Sequence, residues 1–411
     1  MAKKFETPKG LALSTPKGFR DFLPRVAAGR AFLLEKLILS LRKFGFEPLE
    51  TPAIEFAETL KGKYGEEERL IFEFTDRGGR AVALRYDQTV PLARVVAANQ
   101  NLPLPLKRYQ VQPVWRADNP QRGRFREFLQ VDFDIVGTSS LIADAEIITA
   151  AITATKEAGF ANLLMKINDR ETFRGLSPES IRSIDKLAKI GEMEVIEQLK
   201  REGYNNRQAK ALLKKIKDSP PTKNIENLFR YLENLKVAKD LFSFDPTLAR
   251  GLDYYTRTIF ELEIEGYADG SVGAGGRYDN LIGIFANKKI PAVGFSFGFD
   301  RLLEAAERLE LIPNYSPSSR VLVTIFNGKL LPQSLSLVTN LRNQGIAAEV
   351  ALDADEKLEK QLKYADNKGI PFAAILGPKE LESGTITLKN LSEKTQSTSS
   401  FPQAIEKMKS A

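Results

Sequence analysis

The chain has 411 residues, 43% of them hydrophobic and 27% charged, an ordinary globular composition with length for two or three domains that bury cores of their own. It contains no cysteine and no histidine, which excludes disulfides, thiol nucleophiles, Cys/His zinc sites and Ser-His-Asp triads. Sixty Lys and Arg against fifty-three Asp and Glu leave a net charge of +7, compatible with a polyanionic partner. Chemistry must therefore come from carboxylates, Arg, Lys, Tyr, hydroxyls, backbone amides and hard cations such as magnesium. No run approaches the roughly eighteen uncharged apolar residues of a membrane span, and Met1-Ala2-Lys3-Lys4 lacks the apolar stretch of a signal peptide, so a cytoplasmic protein is expected.

After a basic leader, Thr15 to Pro24 reads as loop. Val26 to Phe44 then carries apolar residues at helical spacing and stops at Gly45. Short strand-like runs follow at Phe46 to Ile54, Leu70 to Thr75 and Arg80 to Asp87, the last two separated by the hairpin-type turn Asp76-Arg77-Gly78-Gly79. This is the punctuation of an antiparallel sheet rather than of strict βαβ alternation. From Arg174 to about Lys239, Leu, Lys and Glu recur at helical spacing and predict a helical insertion; strand-like text resumes at Tyr255. Asn314 to Ser319 reads as a linker. Beyond it, Val321 to Phe326, Leu331 to Gln344, Ala347 to Leu352, Glu356 to Lys368 and Phe372 to Leu376 alternate strand and helix as in a small α/β domain.

Arg108 to Gly137 carries the densest chemistry: two strand-like runs joined by Asp118-Asn119-Pro120-Gln121-Arg122-Gly123. In the second run, period two places Arg124, Arg126, Phe128, Gln130, Asp132 and Asp134 on one face, and Phe125, Leu129, Val131, Phe133 and Ile135 on the other. A solvated face with cross-strand ion pairs explains the charge, but not an aromatic and an amide set among Arg and Asp. A nucleotide needs guanidinium groups for phosphate and an aromatic face for its base, which Arg116, Arg124 and Phe128 supply.

Trp115-Arg116-Ala117-Asp118, a loop, Arg124 and then Phe128 resemble motif 2 of the class II aminoacyl-tRNA synthetases. Phe44-Gly45-Phe46 through Thr51-Pro52 to Glu55 resembles motif 1, which in that class forms a homodimer interface, and Ala292 to Leu302 resembles motif 3. Within the class, the stretch from Leu248 to Glu261, containing Arg250-Gly251-Leu252-Asp253-Tyr254-Tyr255, is similar to the first histidine-specific motif, and Ala274-Gly275-Gly276-Arg277-Tyr278-Asp279 to the second. Lys368 to Phe372, continuing through Gly377 to Thr385, resembles the anticodon-binding domain of the histidyl-tRNA synthetases.

The resemblance implies an α/β (α+β) fold: a class II antiparallel sheet flanked by helices over 1–317, with the insertion at about 174–240, and an anticodon-binding domain over 320–411. It implies ATP-dependent activation of histidine to an adenylate and transfer to tRNA, with magnesium carried on the ATP phosphates. Carried over by position, Arg116, Asp118, Arg124, Phe128 and Arg301 contact ATP, with Arg116 and Arg250 flanking the α-phosphate as the catalytic pair and Arg301 on the γ-phosphate. Arg85, Asp87 and Thr89, helped by Gln130, fall where the family holds the α-ammonium, and Asp134 and Tyr255 where it reads the imidazole, with Tyr254 a further histidine-binding residue. A carboxylate and a phenol can each partner one ring nitrogen, which agrees with that assignment. In-line attack on phosphorus demands positioning and charge stabilisation more than acid/base groups, so a chain without histidine is no worse equipped for it. The alternative is a catalytically silent paralogue acting as a histidine-binding regulatory subunit of histidine biosynthesis, expected to lack the motif arginines and the C-terminal domain. Lys210, Lys214, Lys215 and Lys217 of the insertion are candidate contacts to tRNA phosphates, although a charged helix face is ordinarily just solvated.

Overall fold

A computed structural model describes residues 13–121, 123–250, 254–267 and 270–410, arranged as two compact units that divide after Pro313. Gly251, Leu252 and Asp253 of the first histidine-motif resemblance lie outside the described residues, as does Arg122 of the motif 2 loop.

In chain order the first unit begins with helix α1 (Pro24–Lys43), started by proline at its first turn and ended at Gly45, whose φ of +77° suits glycine. Strands β1 (Glu47–Pro48) and β2 (Ile54–Phe56), a short α2 (Ala57–Leu60), β3 (Glu73–Thr75) and β4 (Ala81–Leu84) follow. The expected turn between β3 and β4 is tied by Asp76, whose Oδ1 accepts the amides of Gly78 at 2.8 Å and Arg80 at 2.9 Å. Helix α3 (Thr89–Ala98) leads to the long strands β5 (Leu106–Trp115) and β6 (Glu127–Val136), then α4 (Leu141–Glu157) and β7 (Leu163–Asp169). Helices α5 (Pro178–Asp185), α6 (Leu187–Arg201), α7 (Asn206–Lys217) and α8 (Lys223–Asn234) occupy the region of helical text, and β8 (Phe242–Phe244), β9 (Thr258–Ile264), β10 (Gly273–Arg277), α9 (Gly283–Ala286), β11 (Ala292–Gly298) and α10 (Phe299–Arg308) complete the unit.

Eight strands form one sheet in the order β1-β5-β6-β11-β10-β9-β7-β8, antiparallel except where β1 joins β5 and β8 joins β7. Period-two alternation divides its faces. Val131, Phe133 and Ile135 of β6, Phe260 and Leu262 of β9, and Val293 and Phe297 of β11 enter a core covered by α1, α4, α8 and α10. The alternate residues Asp132 and Asp134 of β6, Glu261 of β9, and Gly294 and Ser296 of β11 face the other way and are polar or small. The last helix of the predicted insertion differs from the others: α8 puts Ile225, Leu228 and Leu232 into the main core, whereas Ile184 of α5, Val195 and Leu199 of α6, and Leu213 and Ile216 of α7 form a separate core with Leu248 and Tyr255. Strand β7, seventh in the sheet beside the edge strand β8, and helix α4, which packs on the sheet's core face, carry no distinctive motif.

The second unit has a five-stranded sheet in the order β13-β12-β14-β15-β16. Its elements are β12 (Val321–Val323), α11 (Leu331–Asn343), β13 (Ala348–Val350), α12 (Leu358–Lys368), β14 (Phe372–Ile375), α13 (Pro378–Ser383), β15 (Thr385–Asn390), β16 (Thr395–Ser400) and α14 (Phe401–Ser410). Gly369 ends α12 in the left-handed region at φ +80°, as a helix C-terminal glycine commonly does.

Candidate active site

A cavity of about 830 Å³ opens on the sheet face opposite the main core. Its floor is the polar row of β6, Phe128, Gln130, Asp132 and Asp134, joined by Gly294 and Ser296 of β11, Ala274 of β10 and Glu261 of β9. The row exists because alternation along β6 sends Val131, Phe133 and Ile135 into the core. It does not extend to residues 124–126 as the pattern predicted. β6 starts at Glu127, so Phe125 lies on the cavity wall with the Arg20 guanidinium 3.2 Å from its ring centroid, while Arg126 turns away to donate to the Asp118 carbonyl at 3.1 Å.

Glycines make room for the floor. A Cβ on Gly294 would fall 1.8 Å from Asp134 Oδ1, and one on Gly275 would fall 2.1 Å from the Gly294 carbonyl. Asp134 is held within the protein: Arg108 forms an ion pair with one oxygen at 2.7 Å, and the Tyr278 hydroxyl donates to the other. Burial raises its pKa, and Arg108 and Tyr278 pull it back. Tyr255 rests against Gly276, where a Cβ would sit 2.7 Å from its ring, and burial pushes its phenol up to about 12. Tyr254 packs edge-on against Tyr255, at 4.9 Å between centroids.

On the wall formed by the segment entering α3, Asp87 and Thr89 line the cavity. Asp87 Oδ1 accepts from Tyr64 at 2.9 Å and from the Val90 amide at 3.1 Å, leaving Oδ2 without a hydrogen-bond partner among the described residues; burial raises this carboxyl. Arg85 departs from its predicted role. It does not line the cavity; its guanidinium is buried on the carbonyls of Thr51 at 2.7 Å, Pro52 at 3.2 Å and Pro113 at 2.8 Å, and on Gln112 Oε1 at 2.8 Å. In a strand, residues 85 and 87 would share a face, but β4 ends at Leu84, so that rule does not hold across them.

The arginines collect around the same space. Arg116 donates to the Tyr86 carbonyl at 3.2 Å and lies 4.3 Å from the Tyr86 ring centroid and 5.2 Å from that of Phe128. Asp118, Arg124, Arg250 and Arg301 also line the cavity; Arg124 sits 3.8 Å from Asp118, and Arg301 donates to the Ser271 carbonyl at 3.2 Å. Arg250 Nη1 is 3.5 Å from Glu261, and its Nε has no hydrogen-bond partner among the described residues. Sequence reasoning passed over Asp132 as a site residue, although its place in the alternating row marked it, and it passed over Asp185 and Lys189, which line the cavity from the helical insertion and which no local pattern distinguishes from surface charge.

A large antiparallel sheet carrying guanidinium groups around an aromatic wall, beside a floor of buried carboxylates, is the catalytic arrangement of the class II aminoacyl-tRNA synthetases. The Histidyl-tRNA synthetase family model matches residues 18–181 and 174–302, and the Anticodon binding domain model matches residues 320–411. The chain is 39% identical to the histidine--tRNA ligase of Cytophaga hutchinsonii, over 96% of this chain and 99% of that one, and 39% identical to that of Aeropyrum pernix, over 91% and 92%. The crystal structure of histidyl-tRNA synthetase from Nostoc sp. PCC 7120 superposes with a TM-score of 0.83 at 29% identity, covering 97% of this chain and 99% of that one. This chain belongs to the histidyl-tRNA synthetase family. A Bacillus halodurans structure titled as an ATP phosphoribosyltransferase regulatory subunit/histidyl-tRNA synthetase shares the fold, with a TM-score of 0.73 at 23% identity.

Proposed function

We infer that this chain attaches histidine to its cognate tRNA through a histidyl-adenylate. The observation that carries the inference is the single cavity in which Arg116, Arg250 and Arg301 stand beside the buried acceptors Asp87, Gln130 and Asp132, in a chain matched along almost its whole length by histidine--tRNA ligases. Arg116 and Phe128 are the surfaces for the adenine and α-phosphate of ATP, Asp118 and Arg124 lie along the nucleotide, and Arg301 takes the far end of the triphosphate. Arg250 and Arg116 stabilise the charge that builds on the α-phosphate as the amino acid carboxylate attacks. Asp87, Thr89 and Gln130 hold the α-ammonium; Tyr255, Tyr254 and the Asp134 carboxyl close the imidazole end. Since Asp134 is already held by Arg108 and Tyr278, its part is to fix the Tyr278 hydroxyl and the polarity of that end.

Magnesium supplies charge neutralisation on the phosphates. Glu261 and Glu263 of β9 are among the carboxylates that line the cavity and are available to an ion carried in on the nucleotide. The second unit and the net charge of +7 support tRNA as the partner. Ile54, Phe56 and Phe74 of β2 and β3, 46%, 49% and 43% exposed, support a homodimer through the motif 1 region. Lys217 of the insertion is engaged with Glu192 at 2.5 Å, so a phosphate contact there competes with an existing pair. No helix among the described residues is long and apolar enough to cross a membrane, consistent with the cytoplasmic location expected for this activity.

The regulatory-paralogue reading is not favoured, because the three motif arginines line the cavity and residues 320–411 match the anticodon-binding domain. ATP–pyrophosphate exchange measured across all twenty amino acids is the test: histidine alone is expected to support rapid exchange, and equal exchange with another amino acid would overturn the substrate assignment.

A further inference from the structure

Asp132 sits in the middle of the cavity-facing row of β6, between Gln130 and Asp134, and is only 3% exposed. Its neighbours differ in what they have left to offer. Asp134 has one oxygen accepting from the Tyr278 hydroxyl and the other ion-paired, though not hydrogen-bonded, with Arg108 at 2.7 Å. Gln130 donates its amide to the Ser296 hydroxyl at 2.7 Å, and that hydroxyl also bonds Asp132. Among the described residues, three acceptors of side chains that line the cavity have no hydrogen bond or ion pair: Gln130 Oε1, Asp132 Oδ1 and Asp87 Oδ2. The charge of Asp87 reaches Asp132 and adds to the rise of its carboxyl.

Buried polar atoms kept only for packing are nearly always paired inside the protein, so three orphans facing one space point to a ligand. All three accept and two belong to carboxyls, so the group that satisfies them brings about three donors and a positive charge. A primary ammonium does; a hydroxyl lacks the charge, and an anion would be repelled. Burial pushes the Asp132 carboxyl up to about 7 against the pull of Arg108 and Ser296, so an arriving cation favours its ionised form.

Building on the histidine assignment above, we propose that Asp132 binds the substrate's α-ammonium directly, as a third acceptor beside Asp87 and Gln130, and so enforces the requirement for a free amino group. The matched probes are histidinol, which keeps ring and ammonium, and its des-amino counterpart, which keeps ring and hydroxyl. Equilibrium binding of both is measured for the wild-type chain and for Asp132→Asn, which is isosteric and uncharged. The variant is expected to weaken histidinol on the order of 10- to 100-fold, as loss of a charge-assisted hydrogen bond does, and the des-amino compound by less than about threefold. Equal losses for both ligands, or no loss for either, overturn the proposal, since a residue shaping the ring site or the fold would not discriminate by the amino group. Should Asp132→Asn fail to fold, Ser296→Ala removes the hydroxyl that aims both Asp132 and Gln130, and the same selective loss is expected. A wild-type chain that binds neither probe overturns the histidine assignment itself, a result distinct from a variant that binds both normally.

Discussion

The backbone amide of Arg250 donates to the Asp185 carboxylate, 2.7 Å away, joining the end of α5 in the helical insertion to the wall of the cavity. Arg250 stands at φ +56°, a left-handed conformation that costs a non-glycine residue about 1–2 kcal/mol. The bond from Asp185 helps hold that conformation, and with it the direction in which the guanidinium enters the cavity. Glu261, 3.5 Å from Nη1, restrains the other end of the side chain. A segment whose sequence looks like a surface appendage is thus braced against a residue assigned to the chemistry.

Asp185 is accordingly a positioning residue. Asp185→Ala is expected to lower the turnover of ATP–pyrophosphate exchange by about tenfold or more while leaving histidinol affinity unchanged, because misaligning a group by around 1 Å costs rate on that scale. Asp185→Asn keeps an acceptor and should retain most activity. An alanine variant with wild-type turnover would show that the brace is idle.

Arg250 itself is expected to be unforgiving. Arg250→Lys replaces a planar fork by a point charge. Exchange should fall about 100-fold or more, in line with loss of one preorganised donor at a developing charge, with histidinol binding largely intact. Stopped-flow adenylate formation checks this; a rate near wild type would remove Arg250 from the transition state.

How much of this was legible in the sequence depended on whether the signal was local. The α1 periodicity, the Asp76 turn and the polar row of β6 each follow from neighbours along the chain, and each is present. What sequence did not reveal is which polar groups spend themselves inside the protein. Arg85 and Asp87 stand two residues apart, yet Arg85 is consumed by the Thr51, Pro52 and Pro113 carbonyls, while Asp87 keeps an oxygen free. Asp132 and Asp134 share one face, yet Arg108 on β5 selects Asp134 as its partner. Both outcomes are set by segments distant in sequence, as is the Asp185 brace, which spans 65 positions.

The two units have separate cores, with Val321, Leu341, Phe372 and Met408 among those of the second. A chain ending at Pro313 is therefore expected to form adenylate at close to the full rate and to charge tRNA poorly, since phosphate contacts from residues 320–411 are lost. Single-turnover aminoacylation with and without the second unit measures this. Unchanged charging would refute a tRNA role for that unit.

Phe74→Glu places a charge among the exposed side chains of Ile54 and Phe56. If this surface joins two copies, sedimentation should show the variant shifted toward monomer at concentrations where the wild-type chain is dimeric. A sedimentation profile identical to wild type would move the interface elsewhere.

The chain has no histidine or cysteine of its own, so the acidic limb of a pH profile for histidine activation would ordinarily be assigned to the substrate's ring, near 6.5 in model compounds, or to a strongly shifted carboxylate. Asp132 supplies the second. Burial places its carboxyl at about 7, with Asp134 and Asp87 adding to the rise and Arg108 and Ser296 opposing it. An acceptor for a cation works when ionised, so kcat/KM for histidine, which reports the free enzyme and free substrate, should fall as pH drops through about 7. The same shift gives stability the opposite slope. A carboxyl raised from its ordinary value binds protons more tightly in the folded chain, so its contribution to stability is present below pH 3.8 and is lost as pH rises to about 7. Both effects should vanish in Asp132→Asn: the thermal stability of the variant relative to wild type should rise across that window, and its kcat/KM limb should retreat to the one set by the ring. A histidine analogue with its ring pKa lowered by a unit or more separates the contributions, since with it the wild-type chain should keep a limb near 7 while Asp132→Asn should not. A wild-type limb that follows the analogue's ring downward would return the titration to the substrate.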